Sequence, residues 1–393
     1  MKINRKKIVS SVGMVALIAL STTFGSLRAD NGMCNGISLT LPFTDVAGNI
    51  FFCQIAEAYF SGLTNGTSAT SYSPTAPVSR EQMAAFITRT LDQSLKRGSR
   101  RAVLGQWWTQ QFAGSSTLTV VGNEPQAVQS DGECLWVVNR LSGTVTRVRA
   151  SDSKVIETWT GMTNPVDLLV ANGRIYVIGK TAPGKLYSID PSKPAGNAVF
   201  LTDLGDLPVG LAYDGERILT ANEGGSITNY HVPSGSKITY TNNFPQPGAI
   251  LYDGSDFWVI DRGLGTLRKI NVSGQILQDI FFDSAILTMT FDGTNIWAVS
   301  PAAAHVIRAA TGTRVATVTG NGLNTGTVGE VAFDGERILI TIWGTNTLSL
   351  WRAADLAPLG TFSTGAGTFP TGVCSDGINF WVTLSTGDKL LRF

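Results

Sequence analysis

Asn139, Lys180, Asn222, Glu223, Asp261, Arg262, Ser300, Trp343 and Ser385 each stand eight or nine residues past a recurring Asp-Gly or Asn-Gly pair. The pairs keep their type from copy to copy, whereas these followers vary. Charges of both signs with one indole make a set that could hold a small ligand. Arg262, Glu223 and Asp261 could orient it through charge-assisted hydrogen bonds. Trp343 offers a flat apolar face for a sugar or an aromatic ring. Catalysis finds less to build on. The two histidines, His231 and His305, lie 17 and 13 residues after their own pairs, so they are not equivalent positions. No Cys/His metal spacing, glycine-rich phosphate loop or Gly-x-Ser-x-Gly elbow is convincing. The sequence therefore assigns no catalytic residue, no metal and no cofactor.

The elements that must position these residues follow from the pairs themselves. Asp131-Gly132, Asn172-Gly173, Asp214-Gly215, Asp253-Gly254, Asp292-Gly293, Asp334-Gly335 and Asp376-Gly377 are spaced by 41, 42, 39, 39, 42 and 42 residues. Asp-Gly and Asn-Gly supply the positive φ of a tight hairpin turn. An apolar run precedes each pair, often opened by proline (Pro125, Pro165, Pro208, Pro247, Pro370), which suits a first strand position. A second apolar run follows, as in Leu135-Trp136, Phe257-Trp258 and Phe380-Trp381. Two more strands complete each copy, for example 144–148 and 154–159. Four strands in about forty residues make one propeller blade, and a fixed period of this length marks a propeller or a similar array.

The expected fold is mainly β: a seven-bladed β-propeller over 113–393, preceded by a small α-helical unit. The seven paired turns then share one face as hairpin residues. Loops joining second to third strands share the opposite face, where the varied residues above form a ring around a central funnel. The last copy has room for three strands only and ends in the third-strand pattern 389–393. The orphan stretch 116–121 is expected to supply its outer strand and close the ring, since open edges invite pairing with other chains.

The front of the chain has a different character. Lys2, Arg5, Lys6 and Lys7 precede a mostly apolar run over 8–20, and Leu27-Arg28-Ala29 suits cleavage. Residues 1–29 read as a secretory signal peptide. The run is short against the roughly 20 residues of a membrane span, and no second such run follows. The expected address is therefore secreted or envelope-associated, with no transmembrane span in the mature chain. Net charge of +1 and 15% charged residues argue against a nucleic-acid partner. Four cysteines allow three full pairings, among which sequence does not choose. Cys34 with Cys53 is favoured because both lie in the small N-terminal unit. Cys134, read as an exposed turn residue, and Cys374, read as a small buried one, are expected to be free.

Residues 30–98 read as helical, with apolar spacing of 3.6 over 49–60 and 79–95. Ser79 and Gln82 form a capping-box pattern. Phe43-Thr44-Asp45-Val46, the stretch 55–62, Tyr72-Ser73-Pro74 and the stretch 78–86 together resemble one S-layer homology module over about 55 residues. The resemblance implies a helical hairpin that attaches exported proteins to cell-wall or envelope polysaccharide. It carries the family's Thr-Arg-Ala-Glu segment onto Ser79, Arg80, Glu81 and Gln82, and so implies glycan contact through Arg80, Ser79 and Gln82. The fourth position is an amide here, and the family's usual three modules are represented by one.

The stretch 99–112 reads as a linker following the basic run 96–101, with Trp107 and Trp108 set to dock it. From 113 onward the repeats resemble those of YVTN/NHL-like propellers, as in 291–299. This resemblance implies fold and leaves function open. Two functions follow as expectations. One is a non-catalytic envelope protein whose module attaches to polysaccharide while the propeller binds or displays a protein or small molecule. The alternative is an enzyme similar to streptogramin lyase, a propeller with similar repeats whose family mechanism uses a histidine, an acidic partner and Mg²⁺. No local motif maps His231 or His305 onto that arrangement.

Overall fold

The computed structural model describes residues 29–34, 36–97, 118–323 and 327–393. The expected leader, the linker with Trp107 and Trp108, and residues 113–117 lie outside these. Seven four-stranded antiparallel sheets form a ring, each running from an inner to an outer strand. Blade 1 comprises Pro125–Ser130, Cys134–Asn139, Thr144–Arg149 and Val155–Trp159. The inner strands of the next six are Pro165–Ala171, Pro208–Tyr213, Pro247–Tyr252, Thr288–Phe291, Val328–Phe333 and Pro370–Ser375.

The ring closes as expected. Blade 7 contributes Pro370–Ser375, Phe380–Leu384 and Lys389–Arg392, and Leu118–Val120 adds the outer strand. The register is Leu118↔Leu391, Thr119↔Leu390 and Val120↔Lys389, so both ends of the propeller share one sheet.

Second strands are sandwiched between neighbouring blades, so both their faces are apolar. Cys134–Asn139, Phe257–Asp261 and Phe380–Leu384 are buried throughout. Cys134 therefore lies in the core, not in an exposed turn, while Cys374 is half-buried; neither is disulfide-bonded.

The recurring aspartate does more than turn the chain. In blade 1, Asp131 Oδ1 accepts the backbone N–H groups of Glu133 and Cys134 at 2.9 and 2.6 Å. Its Oδ2 accepts the indole N–H of Trp136 at 2.8 Å. The same clasp joins Trp258 to Asp253, Trp297 to Asp292 and Trp381 to Asp376. Blade 6 lacks that tryptophan, and Arg337 Nε donates to Asp334 Oδ2 at 2.7 Å instead. Blade 2 has Asn172 at φ 50° and Gly173 at φ 68°, the two consecutive positive values of a two-residue hairpin turn. Its turn is one residue shorter, and for that reason Lys180 follows its pair by eight residues.

The N-terminal unit is less helical than expected. It opens with a hairpin of Asp30–Cys34 and Ile37–Leu41, followed by α1 (Phe52–Phe60) and α2 (Arg80–Arg97). Alternation of Ile37, Leu39 and Leu41 was the available signal, and Leu39 and Leu41 are buried. The Cys34–Cys53 disulfide forms and ties the hairpin to α1. A side chain at Gly32 would meet the Phe52 ring at 2.3 Å, so glycine permits this approach. Asp45 gathers Ser71 Oγ and the N–H groups of Tyr72 and Ser73 at 2.6, 2.9 and 2.8 Å. The capping box forms in both directions: Ser79 N–H donates to Gln82 Oε1 at 2.8 Å, and Gln82 N–H to Ser79 Oγ at 3.2 Å. Both side chains are thus engaged by the helix end, and Arg80 beside them is exposed. No helix among the described residues is long and apolar enough to cross a membrane.

The unit packs on the propeller. Phe52, Ile55 and Phe60 share one buried cluster with Trp297, Val306 and Trp351. The last carbonyls of α1 are taken by blade 5: Asn295 Nδ2 donates to Phe60 O at 2.9 Å, and Arg308 donates to Tyr59 O and Phe60 O. Asn295 and Arg308 adjoin the Asp292-Gly293 turn, so the unit sits on the turn face, opposite the varied ring.

A candidate ligand site in the central channel

The inner strands enclose a cavity of about 830 Å³, within the range of small-molecule sites. Its mouth is ringed by Arg140, Lys180, Glu223, Arg262 and Trp343, one each from blades 1, 2, 3, 4 and 6. Lys180 Nζ and Arg262 Nη1 both reach Glu223, at 2.6 and 2.8 Å, linking three blades. Arg140 pairs with Glu124 in its own blade. Trp343 stands 6.0 Å from the ring of Phe369. Three cations therefore share two carboxylates, beside an aromatic pair.

Strand alternation divides the expected ring. Asn139, Asn222, Asp261 and Ser300 are 0 or 1% exposed and hold their own hairpins together. Asn139 donates to Thr144 Oγ1 and Thr146 Oγ1, and Asn222 to Ser226 Oγ and Thr228 Oγ1. Asp261 Oδ1 accepts the N–H groups of Gln246 and Gly263, and Ser300 Oγ donates to Ala303 O. These four are corrected from ring residues to hairpin residues. The next residue along the chain reaches the mouth, because successive side chains point to opposite sides. Lys180, Glu223, Arg262 and Trp343 satisfy that rule. Arg140 satisfies it too and was overlooked, as was Glu124. Ser385 lies near the mouth, where its hydroxyl donates to Phe369 O at 3.1 Å.

Deeper in the wall are two carboxylates with no counterpart in the expected site. Two residues after the opening proline, the inner strands carry Ala127, Gly210, Ala249 and Gly372. The pairing register shifts at this point in most blades, for instance between Pro165 and Asp167. The position crowds the neighbouring blade: a side chain at Gly372 would meet Gln126 O at 2.4 Å. Blades 2 and 6 place Asp167 and Glu330 there instead, and both line the cavity. Glu330 Oε2 accepts the N–H of Val373 at 3.2 Å, and Asp167 Oδ1 accepts that of Leu168 at 2.8 Å. Loss of hydration raises Asp167 to about 7 against these backbone donors. It raises Glu330 to about 8, with the like charge of Asp167 adding to the shift.

The histidines lie elsewhere. His231 is on the turn face, its Nδ1 2.7 Å from Ser234 Oγ and its Nε2 3.9 Å from Glu216. His305 is buried inside blade 5, 3.1 Å from Thr317 Oγ1 and 4.9 Å from the Phe282 ring. Burial first, and Arg314 second, lower it to about 4. The Mg²⁺ implied by the lyase resemblance finds no fitting donor set: no group of three or more His, Cys, Asp or Glu converges among the described residues.

No protein-family model matches the chain, and no curated protein matches it in sequence. Solved structures do share its architecture. A streptogramin B lyase is 17% identical with a TM-score of 0.57, over 72% of this chain and 96% of that one. A catalytically inactive virginiamycin B lyase from Staphylococcus aureus, solved with quinupristin, is 16% identical with a TM-score of 0.58, over 70% and 98%. Kuenenia stuttgartiensis hydrazine synthase is 17% identical with a TM-score of 0.58, over 70% and 98%. At these identities the likeness establishes the seven-bladed fold.

Proposed function

We propose that this is an exported, envelope-associated, non-catalytic protein whose propeller captures a small polar ligand at the mouth of its central channel. The observation that carries this reading is the ring of Arg140, Lys180, Glu223, Arg262 and Trp343 over an open cavity of about 830 Å³. A few convergent groups on rigid strands are what a binding site requires. Trp343 stacks a ring of the ligand, while Arg262 and Lys180 orient its polar groups. The N-terminal unit, similar to an S-layer homology module, attaches the protein to envelope polysaccharide. Arg80 is its best contact, because Ser79 and Gln82 are occupied by the helix cap. Docked on the turn face, the unit leaves the mouth free on the other side.

The second reading is a propeller lyase, supported by the shared fold of the streptogramin and virginiamycin lyases. Neither histidine serves it, so an acid or base would have to come from Asp167 or Glu330. Hydrogen exchange during titration with acidic oligosaccharides separates the possibilities. Capture at the mouth protects the segments around 140, 180, 223, 262 and 343, and Trp343→Ala with Arg262→Ala abolishes the protection. Protection confined to the paired turns overturns the assignment, and release of a cleaved product establishes the lyase.

A further inference from the structure

Charge is distributed along the channel in a definite order. The rim carries Arg140, Lys180 and Arg262 against Glu124 and Glu223, one more cation than acid. Below it the wall carries Asp167 and Glu330, with no cation among the described residues that line the cavity at that level. Inner strands begin at the rim, and the two carboxylates sit two residues in from the opening position. At about 3.3 Å per residue the two levels are roughly 7 Å apart. A cationic rim above an anionic waist, inside one cavity, is complementary to a molecule of two opposite charges separated by a similar length. An anion alone would leave the waist unmatched, and a cation alone would face the rim.

We propose that the channel binds a short peptide by its ends, with the ammonium group between Asp167 and Glu330 and the carboxylate against Lys180 and Arg262. The proposal rests on the capture reading and names its ligand class. Three N–H donors of an ammonium suit two carboxylates, which accept only. A planar guanidinium suits a terminal carboxylate. The backbone between the ends passes Trp343, which can cover an apolar side chain. The site is specific because each end has a counterpart that its blocked analogue lacks. Asp167 and Glu330 also depart from the small residues that four other blades keep at this position, which a purely structural repeat does not require.

The test is calorimetric titration of the full chain with trialanine, N-acetyl-trialanine and trialanine amide at pH 8. The inference expects trialanine to bind, and each blocked form to bind at least about tenfold more weakly. Glu330→Gln and Asp167→Asn, which keep the shape of the wall and one acceptor oxygen at each position, should weaken trialanine to the level of its acetylated form. They should leave the acetylated form unaffected. Equal binding of trialanine and N-acetyl-trialanine overturns the inference, as does unchanged trialanine binding in the double variant. A channel that takes acidic oligosaccharides at its rim but no trialanine overturns this inference alone. A channel that takes neither overturns the capture reading as well.

Discussion

Asn295 Nδ2 donates to the carbonyl oxygen of Phe60 over 2.9 Å, joining the end of α1 to the turn face of blade 5. A helix C-terminus leaves carbonyls without partners, and here the propeller supplies them. Asn295 is fully buried, so the bond is shielded from water. Asn295→Ala should cost about 1–3 kcal/mol, because the buried Phe60 carbonyl loses its shorter donor and keeps only the 3.4 Å bond from Arg308. Hydrogen exchange should quicken in 52–60 while the second strands of the propeller stay protected. Unchanged exchange in α1 would show that the apolar cluster and the Arg308 bonds hold the unit without Asn295.

Blades 3 and 6 lack the clasping tryptophan and set an arginine beside the turn aspartate, and the two cases differ in burial. Arg337 and Asp334 have side-chain exposures of 4% and 0% at 2.7 Å. Arg217 and Asp214 are 3.9 Å apart, with Arg217 at 35%. Arg337→Leu strands a buried carboxylate and should cost about 3–5 kcal/mol. Arg217→Leu should cost about 0–1 kcal/mol, as exposed pairs do. Urea unfolding of the two variants measures the contrast, and equal losses would contradict it.

The architecture was legible because its signals are chemical and repeat. Asp-Gly must turn, and an apolar run on either side must be buried, so seven copies describe seven blades. The closure of Leu118–Val120 on Lys389–Arg392 followed from a missing strand and an orphan one. The channel mouth was legible in half. Counting from the turn located the end of the second strand, but one residue decides between core and mouth. Asn139 and Arg140 are adjacent, yet the first locks a hairpin and the second rims the channel. Asp167 and Glu330 were hidden because their role depends on a register shift and on the blade beside them, neither of which a single copy displays. The hairpin Asp30–Cys34 with Ile37–Leu41 is too short for its alternation to outweigh the helical pattern that follows.

Closure makes a mechanical demand. Leu390 and Leu391 are buried, and the strand that carries them joins the first described propeller strand to the rest of blade 7. Deleting 389–393 removes the bridge and opens blade 7 next to blade 1. The truncated chain should unfold at a temperature lower by about 10 °C or more, since several buried side chains are lost together. An unchanged melting temperature would mean that the ring does not depend on this strand.

Asp167 and Glu330 give stability a slope with pH. Both are raised above their ordinary values in the folded chain. Between about pH 4 and pH 8 the folded protein keeps protons that the unfolded chain has released. Their contribution is full below the unfolded values and is lost as pH rises through this window. Asp167→Asn with Glu330→Gln should flatten that decline and leave the variant more stable than the wild type at pH 9, by on the order of 2 kcal/mol. Thermal unfolding at pH 5, 7 and 9 measures the slope. A wild type that loses nothing relative to the variant over this range would place both groups in ordinary hydration.

His305 gives a slope of opposite sign. Its ring is 8% exposed, lies 4.9 Å from Phe282 and meets Thr317 Oγ1 at 3.1 Å. Arg314 stacks over the same Phe282 at 4.5 Å, so a fixed cation stands near the ring. Burial and that cation hold the imidazole neutral, lowering it to about 4, with Asp283 opposing. The unfolded chain takes up a proton near pH 6.5, whereas the folded one resists until about 4. Stability is therefore lost as pH falls through this window. His305→Gln cannot titrate, so its difference from the wild type cancels the carboxylates, which are common to both. That difference should shift by about 1–3 kcal/mol in favour of the variant between pH 7 and pH 4.5. Imidazole proton shifts measured by NMR should remain those of the neutral ring down to about pH 5. A midpoint near 6.5 would put the ring in contact with water and return His305 to consideration as an acid–base group.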